Sequence, residues 1–195
     1  MTKIRLHYFD ARGRAEGIGN SCITRKSHMK KSQLERTSGW KRKRVNYKYG
    51  QVPALEVDGQ MLYQSNAIIR YLARKHGMEG KDAWETAKLD EINELLNEFH
   101  EAITEYIYVS LGFMPGDKDK LRQEKFIPAW QKYGPHFEQA LKEAGSGYYT
   151  QSPGSERMAT MEPDLVKDFP LFVEHGKRIN ALPELQEYIK TRPKA

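Results

Sequence analysis

Residues 50–77, GQVPALEVDGQMLYQSNAIIRYLARKHG, constrain the fold of this 195-residue chain more than any other stretch. VPALEV and QMLYQ are short β-prone runs separated by Asp58-Gly59, a dipeptide that favours a type I′ hairpin turn because both residues tolerate positive φ. The hairpin leads directly into NAIIRYLARKH, a helical pattern with Ser65 expected as its N-cap and Gly77 as the left-handed residue that ends it.

Upstream, residues 3–8 alternate, with Ile4, Leu6 and Tyr8 on one face, and predict a short half-buried strand. Asp10-Ala11-Arg12-Gly13 turns the chain, and Arg14-Ala15-Glu16 opens a helix. From Gly17 to Tyr49 neither helical nor alternating periodicity is present, yet this span should hold the rest of a βαβ unit, because parallel strands need a crossover. Downstream the chain reads as helices only. One long helix is expected over AWETAKLDEINELLNEFHEAITEYIYVSL. A second is expected from about Lys118 to Glu143, bent or broken at Pro128 and Pro135. A short helix around Met158, a turn at Pro170 and a last helix after Pro183 follow. The fold class is α/β plus all-α: a thioredoxin-like domain over residues 1–79 and an all-helical domain over 82–195.

Cys22 is the single cysteine, so no intramolecular disulfide is possible and a reducing compartment, the cytoplasm, is expected. The N-terminal segment lacks an apolar signal core, and no run approaches the roughly 20 apolar residues of a membrane span, so no membrane partner is expected. Net charge is +6, but it is concentrated: between Ile18 and Lys48 ten Lys/Arg face one acid, Glu35, which leaves the remainder mildly acidic. Aromatics in that basic span are confined to Trp40, Tyr47 and Tyr49, and no nucleic-acid partner is expected.

YFDARGRAE at the first strand, Trp40, GQVPALEVDG, QSNAIIRYLARKHG and the helical second half together resemble the cytosolic glutathione transferases, nearest to the sigma class and its prostaglandin D synthase relatives. The resemblance covers residues 1–16, 50–147 and 156–195. It implies an enzyme that takes glutathione as co-substrate, adds its sulfur to a small-molecule electrophile and works as a homodimer, with no metal. By the same resemblance Tyr8 is the catalytic phenol that donates a hydrogen bond to the sulfur and favours the thiolate. Gln51-Val52-Pro53 would be a turn with a cis proline whose Val52 backbone pairs with the cysteinyl residue of glutathione. Gln64 and Ser65, at a helix N-terminus, would receive the γ-glutamyl carboxylate. Trp40 and Arg44, the latter standing where lysine is usual, would meet the glycine end. Glu98 would reach the partner subunit's glutathione amine. Phe9, Arg12, Arg14, Met114 and Tyr106 would border the electrophile.

Two stretches depart from that family pattern. Residues 17–49 keep the family spacing without its helix and strand, as a compensated reading-frame slip would produce. Codon degeneracy from Gly19 onward permits a displaced reading, EGIRQLVHYAEKPYEEV, that resembles the missing elements. A frameshifted gene encoding a non-catalytic glutathione-binding remnant is therefore the alternative to an active transferase. The second departure is GYYTQSPGSERMATMEPDL, which is about seven residues shorter than the family pattern and lacks its Ser/Thr-x-x-Asp capping box.

Overall fold

A computed structural model of the chain describes residues 3–9, 13–15, 18, 29–34, 47–150 and 168–191. The chain divides into two compact units, Met1–Glu79 with Asn180–Ala195, and Gly80–Ile179. In the first unit, β1 (Ile4–Phe9), β2 (Met29–Leu34), β3 (Ala54–Val57) and β4 (Gln60–Tyr63) form one sheet in the order β2-β1-β3-β4. β2 runs parallel to β1 from Ile4↔Met29 to Phe9↔Leu34, whereas β3 is antiparallel to both β1 and β4.

The strand Met29–Leu34 is the parallel strand of the βαβ unit expected within residues 17–49, although no periodicity marks it. Its sequence, MKKSQL, shows no apolar alternation, but an edge strand is held by backbone pairing along one side and tolerates charge. Ile18, between β1 and β2, is helical and fully buried, as a crossover requires.

The hairpin forms as expected. Val57 pairs with Gln60, and the two intervening residues take positive φ, 48° at Asp58 and 87° at Gly59. Helix α1 (Ser65–His76) buries Ile68, Ile69 and Leu72 against Ile4, Leu6 and Leu55 of the sheet. Truncating one such side chain to alanine costs about 2–5 kcal/mol. Gly77 (φ 62°) ends the helix in a Schellman arrangement: its N–H bonds the Arg74 carbonyl, and the Met78 N–H bonds that of Ala73.

The second unit is helical: α2 (Ala83–Ala102), α3 (Thr104–Ser110), α4 (Lys118–Leu121), α5 (Ile127–Ala144) and, from the later part of the chain, α6 (Pro170–Asn180). Asp82 caps α2 by accepting the Glu85 N–H at 2.8 Å. The single helix expected over 83–111 breaks at Ile103, which leaves helical geometry (φ −107°, ψ 10°). Between α4 and α5 the chain makes a wider π-helical turn, Arg122–Phe126, just ahead of Pro128. A proline cannot donate to the carbonyl four residues back, and its ring needs room there, so the widened turn replaces the expected bend or break. Pro135 sits inside α5, and Pro170 begins α6 instead of marking a turn. The expected helix around Met158 lies outside the described residues.

Phe99 centres the core of this unit, with edge-on contacts to Phe126, Trp130, Tyr133 and Phe137 at 5.8–6.3 Å. Those four recur every three or four residues, so one face of the helical run supplies them all. The closing residues form a short 3₁₀ turn, Pro183–Leu185, and α7 (Gln186–Thr191), the helix expected after Pro183. No helix among the described residues is long and apolar enough to cross a membrane.

His175 on α6 is buried, 3% exposed, with Tyr148, Tyr149 and Arg178 around it. Its Nδ1 stands 3.1 Å from the Gly147 carbonyl, which makes Nδ1 the protonated nitrogen, and Nε2 meets no partner among the described residues. Burial lowers its pKa below the ordinary 6.5; the Gly147 bond opposes the shift and the Arg178 cation adds to it. The unfolded chain therefore takes up a proton near pH 6.5 that the folded chain refuses, so stability present above that pH is lost as pH falls below it. The thermal midpoint should decline from pH 7 to pH 5 more steeply in the wild type than in His175→Asn, which keeps a donor for Gly147. Parallel declines would show that His175 does not carry the effect.

Candidate functional site

Sheet register gathers the site. In β1 and β3 His7 pairs with Ala54, and in β3 and β4 Ala54 pairs with Tyr63. The next position on each strand is Tyr8, Pro53 and Gln64, so three sequence landmarks stand in one row across the sheet. The Val52–Pro53 bond is cis, as the resemblance implies. Pro53 is buried, Val52 half-buried and Gln51 exposed.

Tyr8 is half-buried at the edge of the first unit's core. Its phenolic oxygen accepts the backbone N–H of Arg14 at 3.1 Å, from the 3₁₀ turn Gly13–Ala15. A phenol has one hydrogen to donate, and an oxygen that already accepts from this turn directs that hydrogen elsewhere. The acceptor bond also polarises the O–H and strengthens it as a donor. Phe9 packs beside the Tyr8 ring at 5.5 Å.

Gln64 has φ 71° and ψ 118°, outside the regions an L-residue adopts readily. Such a conformation costs about 1–3 kcal/mol and persists at positions that serve function. The geometry also corrects the capping expectation. Ser65 is the first helical residue and is buried, whereas Gln64 stands at the cap position and its carbonyl accepts the Ile68 N–H at 3.0 Å. The Gln64 side chain does not cap; its Nε2 donates to Gln51 Oε1 at 3.1 Å. That bond ties the cis-proline turn to the positive end of α1. Gln51, Val52, Pro53, Gln64 and Ser65 thus form one cluster, in line with Tyr8 and its partner Arg14.

Other expected residues fall elsewhere. Trp40, Arg44 and Arg12 lie outside the described residues. Glu98 is exposed on α2 in the second unit, where the Tyr133 hydroxyl donates to it at 3.4 Å and itself accepts from Lys132 at 3.1 Å. Tyr106 is a core side chain packed on Phe126 at 5.0 Å, and Met114 is exposed. Among the described residues no group of three or more His, Cys, Asp or Glu could hold a metal.

One polar chain was not anticipated from sequence. Tyr47 Oη lies 3.1 Å from His7 Nδ1, while His7 Nε2 lies 3.3 Å from Glu56 Oε2, which also receives Arg5 at 3.3 Å. Only Arg5↔Glu56, a directly opposed cross-strand pair of opposite charge, leaves a signal that alternation could have found.

Comparison with known proteins accords with this geometry. Residues 5–74 match the family model for the glutathione S-transferase N-terminal domain. A probable glutathione S-transferase of Caenorhabditis elegans is 32% identical over 203 residues, covering 99% of this chain and 98% of the relative. Among solved structures, a monomeric glutathione S-transferase from the hookworm Necator americanus is 32% identical with a TM-score of 0.87, over 99% of this chain and 98% of that one. Prostaglandin synthase D of Nilaparvata lugens is 26% identical with a TM-score of 0.82, over 99% and 100%. The chain therefore belongs to the glutathione S-transferase family, enzymes that take glutathione as co-substrate.

The amide bridge yields a direct expectation. Gln64→Ala removes a side-chain hydrogen bond of about 0.5–1.5 kcal/mol and should raise the glutathione KM about two- to tenfold with little change in thermal midpoint. An unchanged KM would separate the bridge from substrate binding.

Proposed function

We propose that this chain conjugates reduced glutathione to small electrophiles, with Tyr8 donating its phenolic hydrogen bond to the sulfur. The observation that carries the reading is the Tyr8 phenol, its oxygen held by the Arg14 N–H, standing in register with Pro53 and Gln64. Free glutathione's thiol, with a pKa near about 8.5, is mostly protonated at neutral pH. A preorganised donor at sulfur shifts that equilibrium toward the nucleophilic thiolate. The thiolate then forms the C–S bond; with chlorodinitrobenzene, chloride leaves with the electron pair and the thiol proton passes to water.

In this reading the Val52 backbone pairs with the cysteinyl residue, and the N-terminus of α1 at Gln64 and Ser65 receives the γ-glutamyl carboxylate. Arg14 borders the electrophile, and Trp40 and Arg44 meet the glycine end. We assign the chain to a sigma-like class on the combination of YFDARGRAE, QVP and QS. The similarity to prostaglandin synthase D supports a second activity, isomerisation of a prostaglandin-type endoperoxide. The working form is a cytoplasmic homodimer in which Glu98 faces the partner subunit's glutathione.

Steady-state kinetics with chlorodinitrobenzene test the assignment. Tyr8→Phe should lower kcat about 10²–10³-fold, the usual cost of one transition-state donor, at an unchanged glutathione KM. Retention on glutathione resin with no turnover by the wild type would favour the non-catalytic remnant. Sedimentation of the same sample at the monomer's mass would remove the role given to Glu98.

A further inference from the structure

The polar chain Tyr47–His7–Glu56 lies on the sheet face opposite the packed core of the first unit. Arg5 and His7 alternate with the buried Ile4 and Leu6, and Glu56 alternates with Leu55. Its proton arrangement is fixed by its ends. The Glu56 carboxylate accepts, so His7 Nε2 carries the hydrogen, and in the neutral imidazole Nδ1 is the acceptor to which the Tyr47 hydroxyl donates. Burial, and then the neighbouring Tyr63 phenol, raise the Tyr47 pKa, which keeps that hydroxyl protonated. The His7 side chain is 15% exposed, which shelters the bond from competing water.

Tyr47 also opens the turn that leads into the glutathione cluster. The Gly50 N–H bonds the Tyr47 carbonyl at 2.8 Å, and Gly50 takes φ 60°, a conformation glycine adopts without penalty. The segment Gly50–Pro53 is therefore suspended between two points, the Tyr47 turn and the strand residue Ala54. His7 holds both, the first through its ring and the second through its backbone register. The residue after His7 is Tyr8.

We infer that Tyr47 and His7 are positioning residues for glutathione, which set the Gln51–Val52 segment against the strand that carries Tyr8. The inference rests on the glutathione site proposed above. The two side chains touch neither the sulfur nor the electrophile in this account. Their loss should therefore weaken glutathione binding and leave the chemical step intact.

Tyr47→Phe keeps the ring and its packing and removes only the donor. It is expected to raise the glutathione KM, and the Kd by calorimetry, about three- to tenfold, with kcat at saturation within about twofold and the KM for chlorodinitrobenzene unchanged. His7→Leu should match it, His7→Asn should restore most of the affinity through its amide oxygen, and the double variant Tyr47→Phe/His7→Leu should be no worse than the weaker single variant. Additive losses, or a fall in kcat equal to the rise in KM, would overturn the inference in favour of general destabilisation. Wild-type affinity in Tyr47→Phe would overturn it while leaving the glutathione site standing. A wild-type chain with no saturable glutathione binding would overturn both.

Discussion

Backbone pairing of Ile4–His7 with Ala54–Val57 is the constraint on which the rest of the arrangement depends. Antiparallel register leaves no freedom: a slip of one residue would carry Tyr8 to the other face and put His7 into the core. Burial of Ile4, Leu6 and Leu55 beneath Ile68, Ile69 and Leu72 fixes the register, because the alternative would place Arg5, His7 and Glu56 in an apolar layer. Apolar packing on one side of the sheet thus decides where a phenol, a cis peptide and a helix start come to stand on its margin.

Around that row a few further polar contacts gather. Arg14 gives its backbone N–H to the Tyr8 oxygen, and Gln64 gives its amide to Gln51 at the expense of capping its own helix. The strained backbone at Gln64 and the missing side-chain cap are local costs, which the buried hairpin and α1 offset. Departures from good local geometry persist where a well-packed frame over-determines them.

Much of this was legible in the sequence where the signal is local. Asp58-Gly59 and Gly77 announced their conformations because each takes a positive φ that few dipeptides or helix ends tolerate. Family resemblance implied the cis Val52–Pro53 bond. The strand Met29–Leu34 was not legible, since backbone pairing at a sheet edge needs no apolar alternation. Ser65 looked like a cap because serine at a helix start usually is one, whereas the helix begins one residue earlier than that reading, with Gln64 at the cap position. The Tyr47–His7–Glu56 chain joins residues 40 and 49 positions apart, and no window along the chain could have shown it. In the second unit the break at Ile103 was hidden because the apolar periodicity runs through it, whereas Pro128 marked an irregularity that takes the form of the wide turn before it.

The central claim is that one phenol keeps the sulfur of bound glutathione ionised. An ultraviolet titration of the thiolate in the complex, comparing the wild-type chain with Tyr8→Phe, measures this directly. The account predicts a midpoint clearly below the value of about 8.5 for a free thiol in the wild type, returning toward it in the variant. The same midpoint in both proteins would contradict it.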